Sequence, residues 1–102
     1  MTLGDDELDR ALAAHRGWRR DGTALVRELT LRDFDDAMRF LERVAAAAVD
    51  YGRRPDMCIS EFNRVRLIVT NLHHAGFTLA EMRLLEKVNA ILDEHHPEAI
   101  SH

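Results

Sequence analysis

The segment that most restricts the fold of this chain runs from Val49 to Thr78. Pro55 lies in a turn and stops the preceding helix, because proline has no backbone N–H and fixes its own φ. The residues from Arg64 to Thr70 alternate between polar and apolar side chains, which is typical of a strand with one buried face. Thr78 and Glu81 then have the spacing of a capping box, so a new helix begins shortly after this strand. A helix, a strand region and a second helix therefore follow one another with only short turns between them.

The rest of the chain adds a helix and a hairpin, with Asp21-Gly22 as the hairpin turn signal. The predicted elements are a helix from Asp5 to His15, strands from Trp18 to Arg20 and from Thr23 to Leu31, a helix from Arg32 to Tyr51, strands from Met57 to Phe62 and from Arg64 to Thr70, and a helix after Thr78 to about Glu94. Residues 71–76 are predicted to be a loop, and the last residues are predicted to fray. This order predicts an α+β domain in which a four-stranded antiparallel sheet carries three α-helices on one face.

Two faces of these elements define the predicted core. In the second strand Arg27 shares a face with Leu25 and Leu29, so its side chain is either exposed at a sheet edge or paired. In the second helix the apolar residues recur at helical spacing and predict one buried stripe. The members of that stripe are Phe34, Ala37, Met38, Leu41, Val44, Ala45 and Ala48.

The composition restricts the function more than it specifies it. A chain of 102 residues makes one domain, and its formal net charge of -4 argues against nucleic acid as a main partner. Cys58 is the single cysteine, so neither a disulfide framework nor a thiolate metal site is expected. The longest apolar run, from Val44 to Val49, is too short to span a membrane. We expect a cytoplasmic protein without a cofactor, and the small core and unpaired sheet edge predict a homodimer.

Several short motifs occur in a fixed order along the chain. They are Gly17-Trp18, the stretch LRDFDDAMRFLERVA at residues 31–45, Pro55, Phe62-Asn63 followed by Val65, and Ala75-Gly76-Phe77-Thr78. Together they resemble the pterin-4a-carbinolamine dehydratase family over most of the chain. The resemblance implies the same α+β fold and an assembly into dimers, or into tetramers built from dimers.

The family's reaction, as the resemblance implies it, removes water from a 4a-hydroxytetrahydropterin with the help of histidines. Aligned on Pro55, the family's paired histidines fall on Arg53 and Arg54, and counting from Phe62 places its third histidine on Leu72. One extra residue precedes the retained aromatic position, and a late acidic position is retained. The family's active-site positions, degenerate in this chain, are therefore Arg53, Arg54, Pro55, Phe62, Leu72 and Glu81.

Arginine cannot perform the acid–base work of histidine, because its pKa lies far above neutral pH and keeps it protonated. Leucine has no proton to transfer, and acid–base steps typically contribute about 100- to 10,000-fold each. We therefore assign no catalytic residue and predict a non-catalytic protein. A residual acid or base, Asp50, His73 or His74, remains an alternative. Asp50 lies beside Val49, which falls on the family's glutamate position, and a one-residue shift of the loop would bring His73 to the third histidine position.

Two other groups of charged residues have alternative interpretations. An arginine cluster of Arg53, Arg54, Arg64 and Arg66 would hold carboxylates of a partner protein or a phosphate, or would be an ordinary solvated surface. The sequence His95-His96-Pro97-Glu98 imitates the family's histidine motif, but at the end of a helix. We interpret it as a solvated helix terminus, where histidines suit the negative end of the dipole, and predict no metal site.

The resemblance implies functions of three classes. A divergent branch of the family acts as a RuBisCO assembly factor, a chaperone of carbon fixation in the alpha-carboxysome, and the loss of the histidines fits this branch best. The partner would then be the RuBisCO large subunit, and the location the cytoplasm or the carboxysome. The alternatives are a 4a-hydroxytetrahydrobiopterin dehydratase with an altered active site, and a protein-interaction or regulatory dimer of the same fold.

Overall fold

The computed structural model describes residues 2–70 and 76–102 and contains three helices and five strands in this part of the chain. The predicted loop therefore lies outside the described residues, except for Gly76. The elements are α1 (Asp5–Ala13), β1 (Trp18–Asp21), β2 (Ala24–Thr30), α2 (Phe34–Tyr51), β3 (Asp56–Ser60), β4 (Arg64–Thr70), α3 (Leu79–His95) and β5 (Ile100–Ser101).

The strands form one antiparallel sheet in the order β1-β2-β4-β3. The central pair runs in register from Ala24 opposite Thr70 to Thr30 opposite Arg64. In β4 the side chains of Val65, Leu67 and Val69 are buried, while Arg64 and Arg66 are exposed. The predicted α+β class, with three helices and an antiparallel sheet, is confirmed. We call the sheet side that carries Arg64 and Arg66 the outer face.

A fifth short strand was not predicted. β5 pairs with β2 at Leu29 and Thr30, on the same side as β1, and the N–H of His102 donates to the carbonyl of Glu28 at 3.0 Å. The prediction that the last residues fray was therefore wrong. Two strand residues are too few to show the alternation by which a strand is recognised.

The buried face of α2 differs from the predicted stripe. Ala37, Val44 and Ala48 are buried as expected, but Phe34 is 49% exposed and Met38 is 39% exposed. Their place in the core is taken by side chains that lie further round the helix, Asp36, Phe40 and Ala47. The helix is apolar over more of its circumference than one packing surface covers, so periodicity alone could not select the buried edge.

Arg27 lies on the core face of β2, in the middle of the sheet, and is 1% exposed. Of the two predicted placements, the sheet edge is therefore excluded. Its Nε donates to Oδ1 of Asn89 on α3 at 3.3 Å, and its Nη1 donates to Oγ of Ser101 on β5 at 2.9 Å. Both partners are neutral, so the guanidinium is hydrogen-bonded without forming an ion pair within the described residues.

Gly17 makes room for this guanidinium. Its backbone has a φ of +79°, and a Cβ at this position would lie 2.2 Å from Nη1 of Arg27. An alanine would therefore meet a steric conflict as well as backbone strain. Gly22, in the β1–β2 turn, has a φ of +59° but nothing within 4 Å of its Cβ position.

His96, at the C-terminal end of α3, contradicts the predicted solvated terminus. It is 3% exposed, and its ring nitrogens contact Asp36 Oδ1 at 2.9 Å and Arg43 Nη1 at 3.0 Å. Because a guanidinium can only donate, Nε2 is the acceptor and Nδ1 carries the hydrogen that is donated to Asp36. The ring also packs edge-on against Phe40, with a centroid separation of 5.4 Å. His95 is exposed, as predicted.

We expect Gly17→Ala to lower the free energy of unfolding more than Gly22→Ala. Both variants place alanine at a positive φ, which costs about 1–2 kcal/mol. Only the first adds a clash in a packed interior, which costs about 1–3 kcal/mol more. Urea denaturation followed by circular dichroism measures both values. Equal losses would show that Arg27 does not require the space above Gly17.

We expect His96→Ala to lower the free energy of unfolding by about 1–3 kcal/mol, because it leaves the largely buried Asp36 carboxylate without its imidazole donor. His95→Ala is the matched control, since it removes an exposed neighbour and such changes usually stay within about 0.5 kcal/mol. The same denaturation experiment checks both. A loss no larger for His96 than for His95 would contradict the hydrogen-bonded role.

Candidate functional site

The turn between α2 and β3 carries Arg53 and Arg54, the two arginines that the resemblance aligns with the family's paired histidines. Gly52 ends α2 in the left-handed conformation, with a φ of 66°. The N–H of Gly52 donates to the carbonyl of Val49, and the N–H of Arg53 donates to the carbonyl of Ala48, which is a Schellman motif. Arg53 and Arg54 therefore follow a fixed helix end, and Pro55 leads directly into β3.

Arg53 turns toward the beginning of α3. Its Nε lies 3.4 Å from Oε2 of Glu81, a carboxylate that is 1% exposed. The structure thus brings together two of the positions implied by the resemblance. Arg54, by contrast, is exposed to solvent.

Glu81 is held by the cap of its own helix. The N–H of Thr78 donates to Oε2 of Glu81 at 3.1 Å, the Thr78 hydroxyl donates to the same oxygen, and the N–H of Ala80 donates back to that hydroxyl oxygen. The predicted capping box is confirmed. Burial acts to raise the pKa of Glu81, but the hydrogen bonds from Thr78 and the backbone, together with Arg53, outweigh burial and hold this pKa below its ordinary value.

Phe62 lies in the β3–β4 turn rather than in the third strand, so the predicted strand end was wrong. β3 ends at Ser60, and Glu61 and Phe62 have φ values of 49° and 60°. The N–H of Asn63 donates to the carbonyl of Glu61 at 2.8 Å, which closes a three-residue turn around Phe62. The ring points outward and is 64% exposed.

The two parts of the family motif lie at opposite ends of the β3–β4 hairpin. Asp56 pairs with Ile68 at the end near Arg53 and Arg54, whereas Ser60 pairs with Arg64 at the end near Phe62. Five strand residues separate these ends by about 13 Å at the usual rise of about 3.3 Å per residue. Phe62 therefore does not share one compact site with the arginines.

Arg64 and Arg66 belong to the outer face of the sheet, where each is paired with acidic groups. Arg64 Nη1 lies 3.6 Å from Oε2 of Glu61, and Arg66 lies 3.8 Å from Asp21 and 4.0 Å from Glu28. A hydrogen bond from Arg19 is the main cause that lowers the pKa of Glu28. The predicted four-arginine group is thus divided, because Arg53 pairs with α3 and Arg64 and Arg66 lie on the outer face.

The remaining predicted positions are placed as follows. Asp50 is exposed in the last turn of α2, and Leu72, His73 and His74 lie outside the described residues. Within residues 2–70 and 76–102, no three histidine, cysteine or acidic side chains are grouped so that they could hold a metal ion. In the same part of the chain, no helix is long and apolar enough to cross a membrane.

The role of one polar group at the Phe62 end of the hairpin was missed at the sequence level. The side-chain amide of Asn63 donates to the carbonyl of Leu31 at 2.9 Å, and the N–H of Leu31 donates to the carbonyl of Asn63 at 2.9 Å. These bonds fix the β3–β4 turn to the connection between β2 and α2. Asn63 was noted only as part of a motif, and its partner lies 32 residues away in the chain.

The comparison with known proteins identifies the class to which this fold and site belong. Residues 1–91 match the family model described as pterin 4 alpha carbinolamine dehydratase, so the chain belongs to that family. A Koribacter versatilis protein named after the family is 37% identical over 90 residues, which is 88% of this chain and 95% of that protein. A Metallosphaera sedula protein named in the same way is 34% identical and covers 87% and 92% of the two chains.

Two solved structures resemble the fold. The transcriptional coactivator/pterin dehydratase from Brucella melitensis has a TM-score of 0.81 and 27% identity, over 89% of this chain and 98% of that chain. A pterin dehydratase-like protein identified as a RuBisCO assembly factor in the alpha-carboxysome has a TM-score of 0.63 over 76% of this chain and 90% of that chain. At 20% identity, the second likeness concerns the fold alone.

We expect Glu81→Gln to lower the free energy of unfolding at pH 7 by about 1–3 kcal/mol, because the buried carboxylate loses its charge-assisted hydrogen bonds. The pKa of Glu81 is lower in the folded than in the unfolded protein, where it is about 4.3. The ionised carboxylate therefore contributes its full stabilisation of the fold above the unfolded pKa, and this contribution is lost as pH falls through the folded pKa. The difference between wild type and variant should therefore stay constant from pH 7 to about 5 and shrink in acid.

Urea denaturation at several pH values measures this difference. Glu86→Gln is the control, because Glu86 is exposed on the same helix. A difference between wild type and Glu81→Gln that persists unchanged to the most acidic pH would contradict the proposed ionisation of Glu81.

Proposed function

We propose that this chain is a non-catalytic member of the pterin dehydratase family that binds protein and acts as an assembly factor for RuBisCO. The observation that carries the non-catalytic assignment is the Arg53–Glu81 ion pair at 3.4 Å. The resemblance aligns Arg53 with one of the family's paired histidines, and a permanently charged side chain occupies that position. A guanidinium at neutral pH neither accepts nor releases a proton.

The state of Glu81 supports the same proposal. Dehydration of a carbinolamine needs a group that protonates the leaving hydroxyl and another that accepts a ring proton. A carboxylate with a lowered pKa is ionised at neutral pH, so it is a poor proton donor and a weakened base. The two groups that the structure brings together at this position are therefore unsuited to either step.

RuBisCO is proposed as the partner because one structural neighbour is a RuBisCO assembly factor in the alpha-carboxysome. Arg54 adds a chemical argument, because it is an exposed cation beside a rigid helix end and suits a carboxylate on a partner surface. The edge strand β3 exposes its outer side, and Met57 on it is 37% exposed. We propose that this edge is covered in a homodimer, and that the chaperone acts in the cytoplasm or the carboxysome.

A dehydratase with an altered active site is the second candidate. The names of the Koribacter and Metallosphaera relatives favour it, at 37% and 34% identity. In that case Asp50, His73 or His74 would supply the acid or base. The Brucella neighbour, which is named a transcriptional coactivator as well as a pterin dehydratase, favours a regulatory dimer as a third candidate.

A paired assay on one purified sample separates these candidates. It measures dehydration of a 4a-hydroxytetrahydropterin and co-elution with the RuBisCO large subunit. We expect co-elution without turnover. Turnover comparable to that of the Brucella protein would overturn the non-catalytic assignment and make His73 and His74 the first residues to replace. If the sample shows no turnover and no co-elution, RuBisCO is rejected as the partner and the regulatory dimer remains.

Arg54→Glu tests the binding surface more sharply than a change at Arg53, because it leaves the ion pair with Glu81 intact. We expect this charge reversal to weaken co-elution roughly tenfold or more, since like charges at an interface repel. Arg10→Glu, on the exposed side of α1, is the matched control for net charge. Equal effects of the two variants would exclude the α2–β3 turn as the binding surface.

A further inference from the structure

A second polar site lies at the other end of α3. A cavity of about 190 Å³ is lined by Arg16, Arg27, Asp93 and Ser101, among others. α3 has 17 residues and is therefore about 25 Å long, so this cavity is far from Glu81 at its beginning. Part of the lining comes from residues beyond 91, where the family match ends. We call it the Arg27 cavity.

Arg27 brings to this cavity a charge that no hydrogen-bonded carboxylate of the described residues balances. Its two hydrogen bonds go to the neutral side chains of Asn89 and Ser101, which use Nε and Nη1. The second terminal nitrogen, Nη2, has no hydrogen bond to another described residue. A buried charge is strongly unfavourable unless a counter-charge or further hydrogen bonds compensate it.

Among the other polar groups that line the cavity, most acceptors already have partners, whereas donors remain unused. Asp93 is bound by Arg16, so its negative charge is already matched. Ser101 accepts from Arg27 through Oγ, which leaves its own hydroxyl hydrogen to donate. Both ring nitrogens of His96 are used by Asp36 and Arg43.

The electrostatics agree with this inventory. Burial lowers the pKa of Arg27, the nearby charge of Arg16 lowers it further, and Asp93 opposes both. The C-terminal end of α3 contributes negative potential at the cavity. Two of its carbonyls, those of Leu92 and His96, already accept from backbone N–H groups. Positive charge and free donors therefore remain in excess.

We propose that the Arg27 cavity binds a small anion, a carboxylate or a phosphate, between Arg27, Arg16 and Ser101. An anion supplies acceptors for the free Nη2 and hydroxyl donors and adds the missing negative charge. Drug-sized ligands need roughly 300–1,000 Å³, so a cavity of about 190 Å³ admits a ligand of only a few heavy atoms. The site is independent of the proposed function at the α2–β3 turn.

The experiment titrates the wild-type protein with inorganic phosphate, with acetate and with acetamide at constant ionic strength. Trp18 is the only tryptophan and lies directly opposite Arg27 in the β1–β2 register, so its fluorescence reports the site. We expect a saturable change and a higher Tm with phosphate or acetate, and neither with acetamide, the neutral analogue of acetate. If neither anion gives a saturable response, the proposal is overturned. The charge of Arg27 would then be compensated by the negative C-terminal end of α3 instead of by a bound anion.

Variants locate the response. Arg16→Gln and Ser101→Ala should each weaken anion binding about tenfold or more, because each removes a donor to a charged ligand. Arg39→Gln removes the same charge at an exposed position of α2 and should leave binding unchanged. Arg27 itself is left intact, since its replacement endangers folding. Unchanged binding in both Arg16→Gln and Ser101→Ala would show that any anion effect arises outside the cavity.

Discussion

The charge of Arg27 on the core face of the central strand is the constraint around which much of the structure is arranged. β1 is preceded by Gly17 because any side chain there would overlap the guanidinium. Asn89 on α3 and Ser101 on β5 are the groups that accept its hydrogen bonds. A single buried cation thus joins the sheet, the last helix and the C-terminal strand. An apolar residue at position 27 would require neither the glycine nor these two hydrogen-bond acceptors.

Two polar contacts hold α2 and α3 together at both ends. Arg53 follows the end of α2 and pairs with Glu81 at the start of α3. His96, at the end of α3, bonds Asp36 in the first turn of α2. Between these contacts the core is apolar, with Phe40, Val44, Leu84, Leu85 and Val88 fully or almost fully buried. The antiparallel helix pair is therefore joined by a polar contact at each end. Arg53 consequently has a structural role beside any role in binding.

The sequence predicted those parts of the fold that depend on local chemistry. The alternation of β4, the capping box of Thr78 and Glu81, and the end of α2 before Pro55 each follow from neighbouring residues. The burial of His96 was not predictable in this way, because its partners Asp36 and Arg43 lie 60 and 53 residues away. The same applies to α2, whose buried edge is selected by the elements that pack on it.

The candidate site shows the same division between residue chemistry and tertiary placement. That Arg53 cannot move a proton follows from its side chain alone, and no fold would change it. Its pairing with Glu81 depends on where α3 begins relative to α2, which no local pattern encodes. Phe62 differs from Arg53, because the exposure of its ring does not follow from its side-chain chemistry. The resemblance implied an extra residue before Phe62, but only the geometry of the β3–β4 turn shows where the ring lies. Glu61 and Phe62 both have positive φ, and the aromatic ring in this turn is exposed to solvent. The chain therefore retains the family's framework while its aromatic and charged groups are separated.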